Sequence, residues 1–385
     1  MNIVVNFIPL KKGGGVQVGL DFLNQVKLYG KEHNWFVVAT EGTPFVNYKY
    51  SENVSLVKLI SRNLVDRLKF EYVGCKDVIN KTNAHVIYTQ FGPIWPGATV
   101  TNIAGCAYSN LMYPEIDFWG KLPLLSQIKK RVIDFFRIKR MLAADQIIFE
   151  TQDLLERAIK IYNLPESRVH FVSPAISSLV KVSGDANKKI SSIPEGFRIL
   201  LLSHYRVHKN IEILPKVSEI LNTRFNIKNV VFVLTLNDDK KSQNIYSKAI
   251  ELGVNNYICN IGSIDYEECG SLYEACDAVI LPSLLESFSN TIAEAWLMKK
   301  PLIISDFEWS RSLCGDAAIY IKYNDEEDTA YKIARLITNK KEIETVVRNG
   351  MVMLNKYSTA KSRFLSYKKI IENVVNQTVL MPEKF

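Results

Sequence analysis

Short apolar, strand-like runs alternate with amphipathic helical stretches along this chain, and the alternation occurs twice. The first set begins with NIVVNFIPL, continues through Gly13, Gly14 and Gly15 as a loop, and reaches the amphipathic helix VQVGLDFLNQVKLYGK. WFVVAT, VSLVKLI, HVIYTQF and QIIFET follow as strands, with helical spacing near 64–81, 124–142 and 153–162. The second set begins at FRILLLS, 197–203, with a helix over 210–221 and strands NVVFVLTL, YICNIG and AVILPS. Helices near 266–275 and 291–298 and the strand PLIISD complete it. Strands separated by helices pair in parallel and are covered on both faces. The polar stretch SGDANKKISSIPEG, 183–196, carries Gly, Pro, Ser and Lys without periodicity and divides the sets. The expected fold is α/β, two doubly wound Rossmann-like domains facing a cleft, 1–183 and 196–358. Ligands of open α/β sheets bind outside the carboxyl ends of the strands, so loops that follow strands are the places to look.

Composition narrows the partners only coarsely. The 385 residues are 47% hydrophobic, enough for two cores. No run approaches the roughly 18 apolar residues of a membrane span, and MNIVVNFIPL reads as a buried strand and not as a signal peptide, so a cytoplasmic protein is expected. Six cysteines without a C-x-x-C pair read as reduced packing residues. A net charge of +8 suits nucleotides, acidic glycans or a lipid surface and selects none of them. There is no Asp-x-Asp and no cluster of histidine with carboxylates, so no metal site is expected. The three glycines lack the G-x-G-x-x-G spacing of a dinucleotide site. They serve a tight turn, or let backbone approach a phosphate or sugar.

The stretch LPSLLESFSNTIAEAW, 281–296, leaves an apolar strand, exposes Glu286, turns through Ser287, Phe288, Ser289 and Asn290, and sets Glu294 on the next helix. One reading is structural, since Ser283-x-x-Glu286 and Thr291-x-x-Glu294 both have the capping-box spacing. The other is chemical. A helix starting near Asn290 presents unpaired N–H groups and a positive dipole end, which suit a diphosphate. Flanking carboxylates then make sense as acceptors of sugar and ribose hydroxyls.

The span from NIGSIDYEECGSLYEACDAVILPS through LLESFSNTIAEAWLMKKPLIISD to CGDAAIYI resembles the donor-binding signature of glycosyltransferase family 4, which is retaining and has the GT-B fold. The resemblance rests on the Gly262 turn, the glutamate-x7-glutamate spacing of Glu286 and Glu294, Pro301 and Gly315-Asp316-Ala317-Ala318. It implies that Glu286 contacts the donor sugar, Glu294 the ribose, and the N–H groups of Asn290 and Thr291 the phosphates. Ser287 and Ser289 stand where relatives often have glycine, so the donor's identity does not carry over. In SHYRVHKN, 203–210, Lys209 matches the family's lysine that neutralises the leaving diphosphate. His204 stands where the family's arginine is expected, and Arg206, two residues on, either reaches the phosphate or faces solvent. The family also places Gly14 and Gly15 over the donor.

The N-terminal half resembles the family only in outline. Ala107 and Tyr108 stand where many relatives carry a histidine, leaving Gln90, Tyr108 and Asn110 as candidate acceptor contacts that equally well satisfy turns. A helix near 359–378 is expected to return to the first domain, as in the family. The stretch 118–142 interleaves Trp119, Phe135 and Phe136 with Lys121, Lys129, Lys130, Arg131, Arg137, Lys139 and Arg140. It reads either as a core helix with a solvated basic face or as a surface that rests on an anionic leaflet. The resemblance implies a retaining glycosyltransferase that uses a nucleotide-diphosphate sugar, without metal or other cofactor, on a glycan or lipid-linked oligosaccharide acceptor. It would serve bacterial surface polysaccharide (O-antigen, capsule or exopolysaccharide) biosynthesis at the inner face of the plasma membrane, with no nucleic acid partner. The alternative is a catalytically impaired glycan-binding or scaffold subunit of the same fold.

Overall fold

The structure, a computed structural model, describes residues 1–175 and 188–380. Thirteen strands form two sheets among the described residues. The first holds β1 Asn2–Asn6, β2 Asn34–Thr40, β3 Val54–Ile60, β4 Val86–Thr89, β5 Thr101–Cys106, β6 Gln146–Phe149 and β7 Val169–Phe171, in the order β3-β2-β1-β4-β5-β6-β7. The second holds β8 Phe197–Leu201, β9 Val230–Leu234, β10 Ile258–Asn260, β11 Ala278–Leu281, β12 Leu302–Ser305 and β13 Ile319–Ile321, in the order β10-β9-β8-β11-β12-β13. Every pairing in both sheets is parallel. The expected α/β architecture is therefore present in both halves. Each order reverses once, between β1 and β4 and between β8 and β11, and at such a reversal the flanking loops part and leave a crevice at the carboxyl edge.

The central strands show why the chain folds this way. Along β1, Ile3 and Val5 point into one apolar cluster and Val4 into another, and all three are fully buried. A strand covered on both faces has no polar side to alternate with, which accounts for its unbroken apolar run. Over the first face lies the Gly14–Tyr29 helix, packed against the last helix, Ala360–Leu380, through Phe22, Trp35, Tyr88, Phe364 and Tyr367. These rings bridge the start and the end of the chain within one core.

The chain divides into two compact units. One comprises Met1–Glu115, Pro123–Ala175 and the chain from Ser358; the other comprises Ile116–Leu122 and the chain up to Tyr357. Ile116–Leu122, expected within the N-terminal domain, thus groups with the second unit. There the Phe118 ring stacks on His208, with centroids 4.8 Å apart, and Lys121 donates to Asn210 Oδ1 at 2.7 Å and Asn324 Oδ1 at 3.1 Å. The expected linker 183–196 lies partly outside the described residues, at 183–187; beyond them Lys188–Ser191 forms one helical turn.

One other local expectation is corrected, and two are made more specific. Gly14 and Gly15 are not loop residues but open the Gly14–Tyr29 helix, and only Gly13 precedes it, at φ 70° and ψ −155°, a conformation reserved for glycine. The stretch near 64–81 is helical without a break, as expected, with a π-helical turn, Phe70–Gly74, between Leu64–Lys69 and Cys75–Thr82. The helix Leu124–Leu142 does not put its apolar face into the core. It buries Asp134 and Met141, while Leu124, Leu125, Ile128, Val132, Phe135 and Phe136 are each at least half exposed. All six cysteines are free thiols.

Candidate active site at the second switch point

The loop after β8 and the loop after β11 meet at the reversal of the second sheet. The backbone N–H of Leu284 donates to the His208 carbonyl at 2.7 Å, and the Leu284 carbonyl accepts from Trp309 Nε1 at 3.0 Å. Leu284 is thus held from both sides. This fixes the turn that carries Glu286 against the one that carries Lys209, and Lys209 Nζ donates to Glu286 Oε1 at 2.5 Å. Both side chains are mostly buried, at 16% and 11% exposure. Burial alone would push the Glu286 carboxyl up, but the ammonium of Lys209, with a smaller contribution from His208, outweighs it and holds the group below the usual carboxylate range. The sequence assigns these two residues separate roles; the structure makes them one ion pair.

His208 sits beneath Phe118, and burial pushes its imidazole down to about 4, so it is neutral at neutral pH. Asn210 adopts a left-handed conformation, φ 54°, that turns the chain into the following helix, and it is buried with its Oδ1 on Lys121. Arg206 is exposed on the same loop, close enough to His208 to disfavour its charged form. The loop therefore presents Lys209 inward and Arg206 outward.

Beyond Glu286, Ser287 and Phe288 are half-buried, with the Phe288 ring 5.6 Å from that of Tyr357, and Ser289 precedes the helix Asn290–Leu297. No side chain caps this helix, so the capping-box reading of Thr291 and Glu294 fails. The N–H groups of Asn290 and Thr291, at its first two positions, have no intrahelical partner, while that of Ile292 donates to the Ser289 carbonyl at 3.0 Å. Glu294 lies one turn inside and is 3% exposed. Its Oε1 accepts from the Tyr266 hydroxyl at 3.2 Å and its Oε2 from the Tyr273 hydroxyl at 2.8 Å, while burial raises its pKa. Neither tyrosine was singled out from the sequence, although their seven-residue spacing across a helical segment puts them on one side. Each carboxylate oxygen keeps a second lone pair for another donor. Gly262, at φ 76°, turns the chain after β10, and a side chain there would meet nothing within 4 Å.

The candidates of the first unit divide in two. Gln90 follows β4 directly and is fully buried. Asn110 and Tyr108 are engaged by the Leu124–Leu142 helix instead: Asn110 Nδ2 donates to Asp134 Oδ2 at 2.8 Å, and the Arg137 guanidinium lies 4.7 Å from the Tyr108 ring centroid. Gly14 and Gly15 open a helix directly beyond the first switch strand. Among the described residues one cluster has metal-ligand chemistry, Glu32, His33 and Glu372, and the ammonium of Lys368 already sits between its two carboxylates.

Residues 184–352 match the family model described as glycosyl transferases group 1. An uncharacterized glycosyltransferase of Methanocaldococcus jannaschii is 22% identical over 240 residues, covering 59% of this chain and 60% of that protein. The match thus spans less than two thirds of that relative. Three solved structures share the fold across nearly the whole chain. Sucrose-phosphate synthase from Thermosynechococcus elongatus has a TM-score of 0.75 at 15% identity, over 97% of this chain and 99% of that one. Anabaena HepE in complex with UDP and glucose scores 0.68 at 15% identity, over 97% and 100%. WaaG, a glycosyltransferase involved in lipopolysaccharide biosynthesis, scores 0.70 at 14% identity, over 94% and 98%. The chain has the GT-B fold, and residues 184–352 are similar to the glycosyl transferases of group 1.

Proposed function

We propose that the second switch point binds a nucleotide-diphosphate sugar and that the chain transfers the sugar, with retention, to a glycan acceptor, as the resemblance to glycosyltransferase family 4 implies. The observation that carries this reading is the Lys209–Glu286 pair at the carboxyl edge of β8 and β11, beside the uncapped start of the Asn290–Leu297 helix. A diphosphate satisfies the N–H groups of Asn290 and Thr291 and takes over the Lys209 ammonium, which frees Glu286 to accept from a sugar hydroxyl. Glu294, held by its two tyrosines, offers a fixed acceptor to ribose. In the reaction the bond between the anomeric carbon and the phosphate oxygen breaks, and the acceptor oxygen bonds to that carbon on the same face. The leaving phosphate oxygen takes the acceptor proton. Negative charge grows on the diphosphate as it departs, and Lys209 stabilises it without a metal ion.

Solved relatives bind UDP and UDP-glucose or serve lipopolysaccharide synthesis, which supports a nucleotide sugar and a bacterial surface polysaccharide here. A thermal-shift panel of nucleotide sugars tests the donor site. A ligand at one hundred times its Kd is expected to stabilise the chain by about 2.7 kcal/mol, and a panel without any shift would overturn the reading.

A lipid-linked acceptor draws support from the Leu124–Leu142 helix. Its exposed apolar stripe lies among Lys129, Lys130, Arg131 and Lys139. A second exposed apolar group, Leu64, Val65, Tyr72 and Val73, belongs to the segment around Glu71, to which Arg140 of the helix is bound at 2.9 Å. Among the described residues no helix is long and apolar enough to cross a membrane, so such a surface would rest on the leaflet. Sedimentation with phosphatidylglycerol-containing vesicles is expected to carry the chain down at low salt, less so as salt screens the charges, and not at all for Leu125→Asp/Phe136→Asp. A wild-type chain that ignores such vesicles would refute the docking.

A further inference from the structure

Ile116–Leu122 follows Glu115 of the first unit and ends where Pro123 rejoins it, yet the segment packs within the second unit, on the loop that carries Lys209. The Phe118 ring stacks on His208, with centroids 4.8 Å and planes 28° apart, and the Trp119 ring meets Phe118 edge-on at 4.5 Å. Lys121 Nζ donates to Asn210 Oδ1 at 2.7 Å and to Asn324 Oδ1 at 3.1 Å, and it lies 5.1 Å from the Tyr323 ring centroid. Both asparagines hold left-handed turns, at φ 54° and 61°, one beyond β8 and one beyond β13. In the sheet β11 and β12 lie between those two strands, so one ammonium ties together the turns on either side of the strand that leads to Glu286. The loop itself has little regular structure, a single 3-10 turn at Val207–Lys209, and such a turn makes poor hydrogen bonds. Its shape depends on what grips it. Leu284 holds the His208 carbonyl from one side, and Ile116–Leu122 holds the His208 ring and the Asn210 side chain from the other.

We propose that Ile116–Leu122 is a strap that fixes Lys209 for the departing diphosphate, with Phe118 and Lys121 as positioning residues that act through His208 and Asn210. The assignment rests on the function proposed above. His208 and Asn210 are the two chain neighbours of Lys209, so gripping both leaves the Lys209 backbone little freedom and gives its ammonium a fixed origin. Electrostatic help to a leaving group depends on a charge already in place when the transition state forms. Phe118 also keeps the imidazole covered. Around that imidazole Lys209 and Arg206 disfavour its charged form and Glu286 favours it, while Asp117 and Lys121 of the strap flank Phe118 in sequence. Burial is the largest influence and outweighs Glu286, so the covered ring stays neutral and does not compete with Lys209 for the carboxylate.

Two readouts on the full chain test the strap. The first is a proton–carbon NMR titration of the histidine rings, with His208 assigned through His208→Gln. The wild-type imidazole is expected to stay neutral down to about pH 5, and that of Phe118→Ala to titrate higher, toward the ordinary histidine value of about 6.5. The second is the steady-state release of nucleoside diphosphate from a nucleotide sugar. Phe118→Ala and Lys121→Met are each expected to lower kcat by about 10- to 100-fold, the cost of misplacing a group near the chemistry, with KM little changed. Phe118→Tyr, which keeps the ring, and Lys121→Arg, which keeps the donors, are expected to restore most of the rate. Lys121 is exposed, so Lys121→Met decides the matter if Phe118→Ala does not fold. Identical His208 titrations in wild type and Phe118→Ala, or full kcat in both Phe118→Ala and Lys121→Met, would overturn the strap. So would an effect confined to KM, which would make the segment a binding surface. If Phe118→Ala uncovers His208 in a chain that turns over no nucleotide sugar, the function falls and the brace on the loop stands.

Discussion

Lys209→Ala is expected to lower kcat for sugar transfer by about 100- to 1,000-fold, the cost of removing a charge aimed where charge develops. KM for the nucleotide sugar should move far less, because the ammonium matters most as the diphosphate leaves. The substitution also leaves Glu286 buried without its cation, and breaking such a pair costs about 3–5 kcal/mol. A drop in melting temperature is therefore expected alongside the drop in rate. The two effects separate in the double variant Lys209→Ala/Glu286→Gln, which removes the orphaned charge. It is expected to recover the melting temperature and to remain inactive. Recovery of both would mean that the pair is structural and the chemistry lies elsewhere.

The second large effect is expected at Glu294. Glu294→Gln keeps one carbonyl oxygen for one tyrosine hydroxyl, so folding should survive, but the group loses the charge and the symmetric acceptors that suit a ribose diol. Affinity for the free nucleoside diphosphate is expected to fall by about 10- to 100-fold, the range for a hydrogen bond to a charged group. Glu286→Gln, which acts on the sugar, should bind the free nucleoside diphosphate nearly as wild type does. Calorimetry with the nucleoside diphosphate alone reads the difference. Equal losses in both variants would remove the division of labour between the two acids, and no loss at Glu294 would leave it as a buttress for Tyr266 and Tyr273.

Both sheets were legible in the sequence because buried parallel strands read as unbroken apolar runs, the interior of β1 and the whole of β9 among them. Helices whose buried stripe is narrow were not. Lys240–Glu251 buries Ile245 and Ala249 as its only apolar residues, too few to mark a period in KKSQNIYSKAIE. Periodicity also states that a helix has an apolar face without stating what covers it, which is why Leu124–Leu142 read equally as core helix or docking surface until its exposed side was seen. At the candidate site, residue types and spacing singled out Glu286, Glu294 and Lys209 one by one. The ion pair between two of them, and the tyrosines behind the third, depend on which strands are neighbours.

Transfer of a sugar from a nucleotide sugar held at the second switch point is the proposed activity. Its most direct test is release of nucleoside diphosphate by the full chain from a panel of UDP-, GDP-, ADP- and dTDP-sugars, with EDTA present and Glu286→Gln run in parallel. One donor is expected to be turned over, EDTA to leave the rate unchanged, and Glu286→Gln to abolish turnover. Turnover that vanishes with EDTA would contradict the metal-free role given to Lys209, and turnover that persists in Glu286→Gln would contradict the site itself.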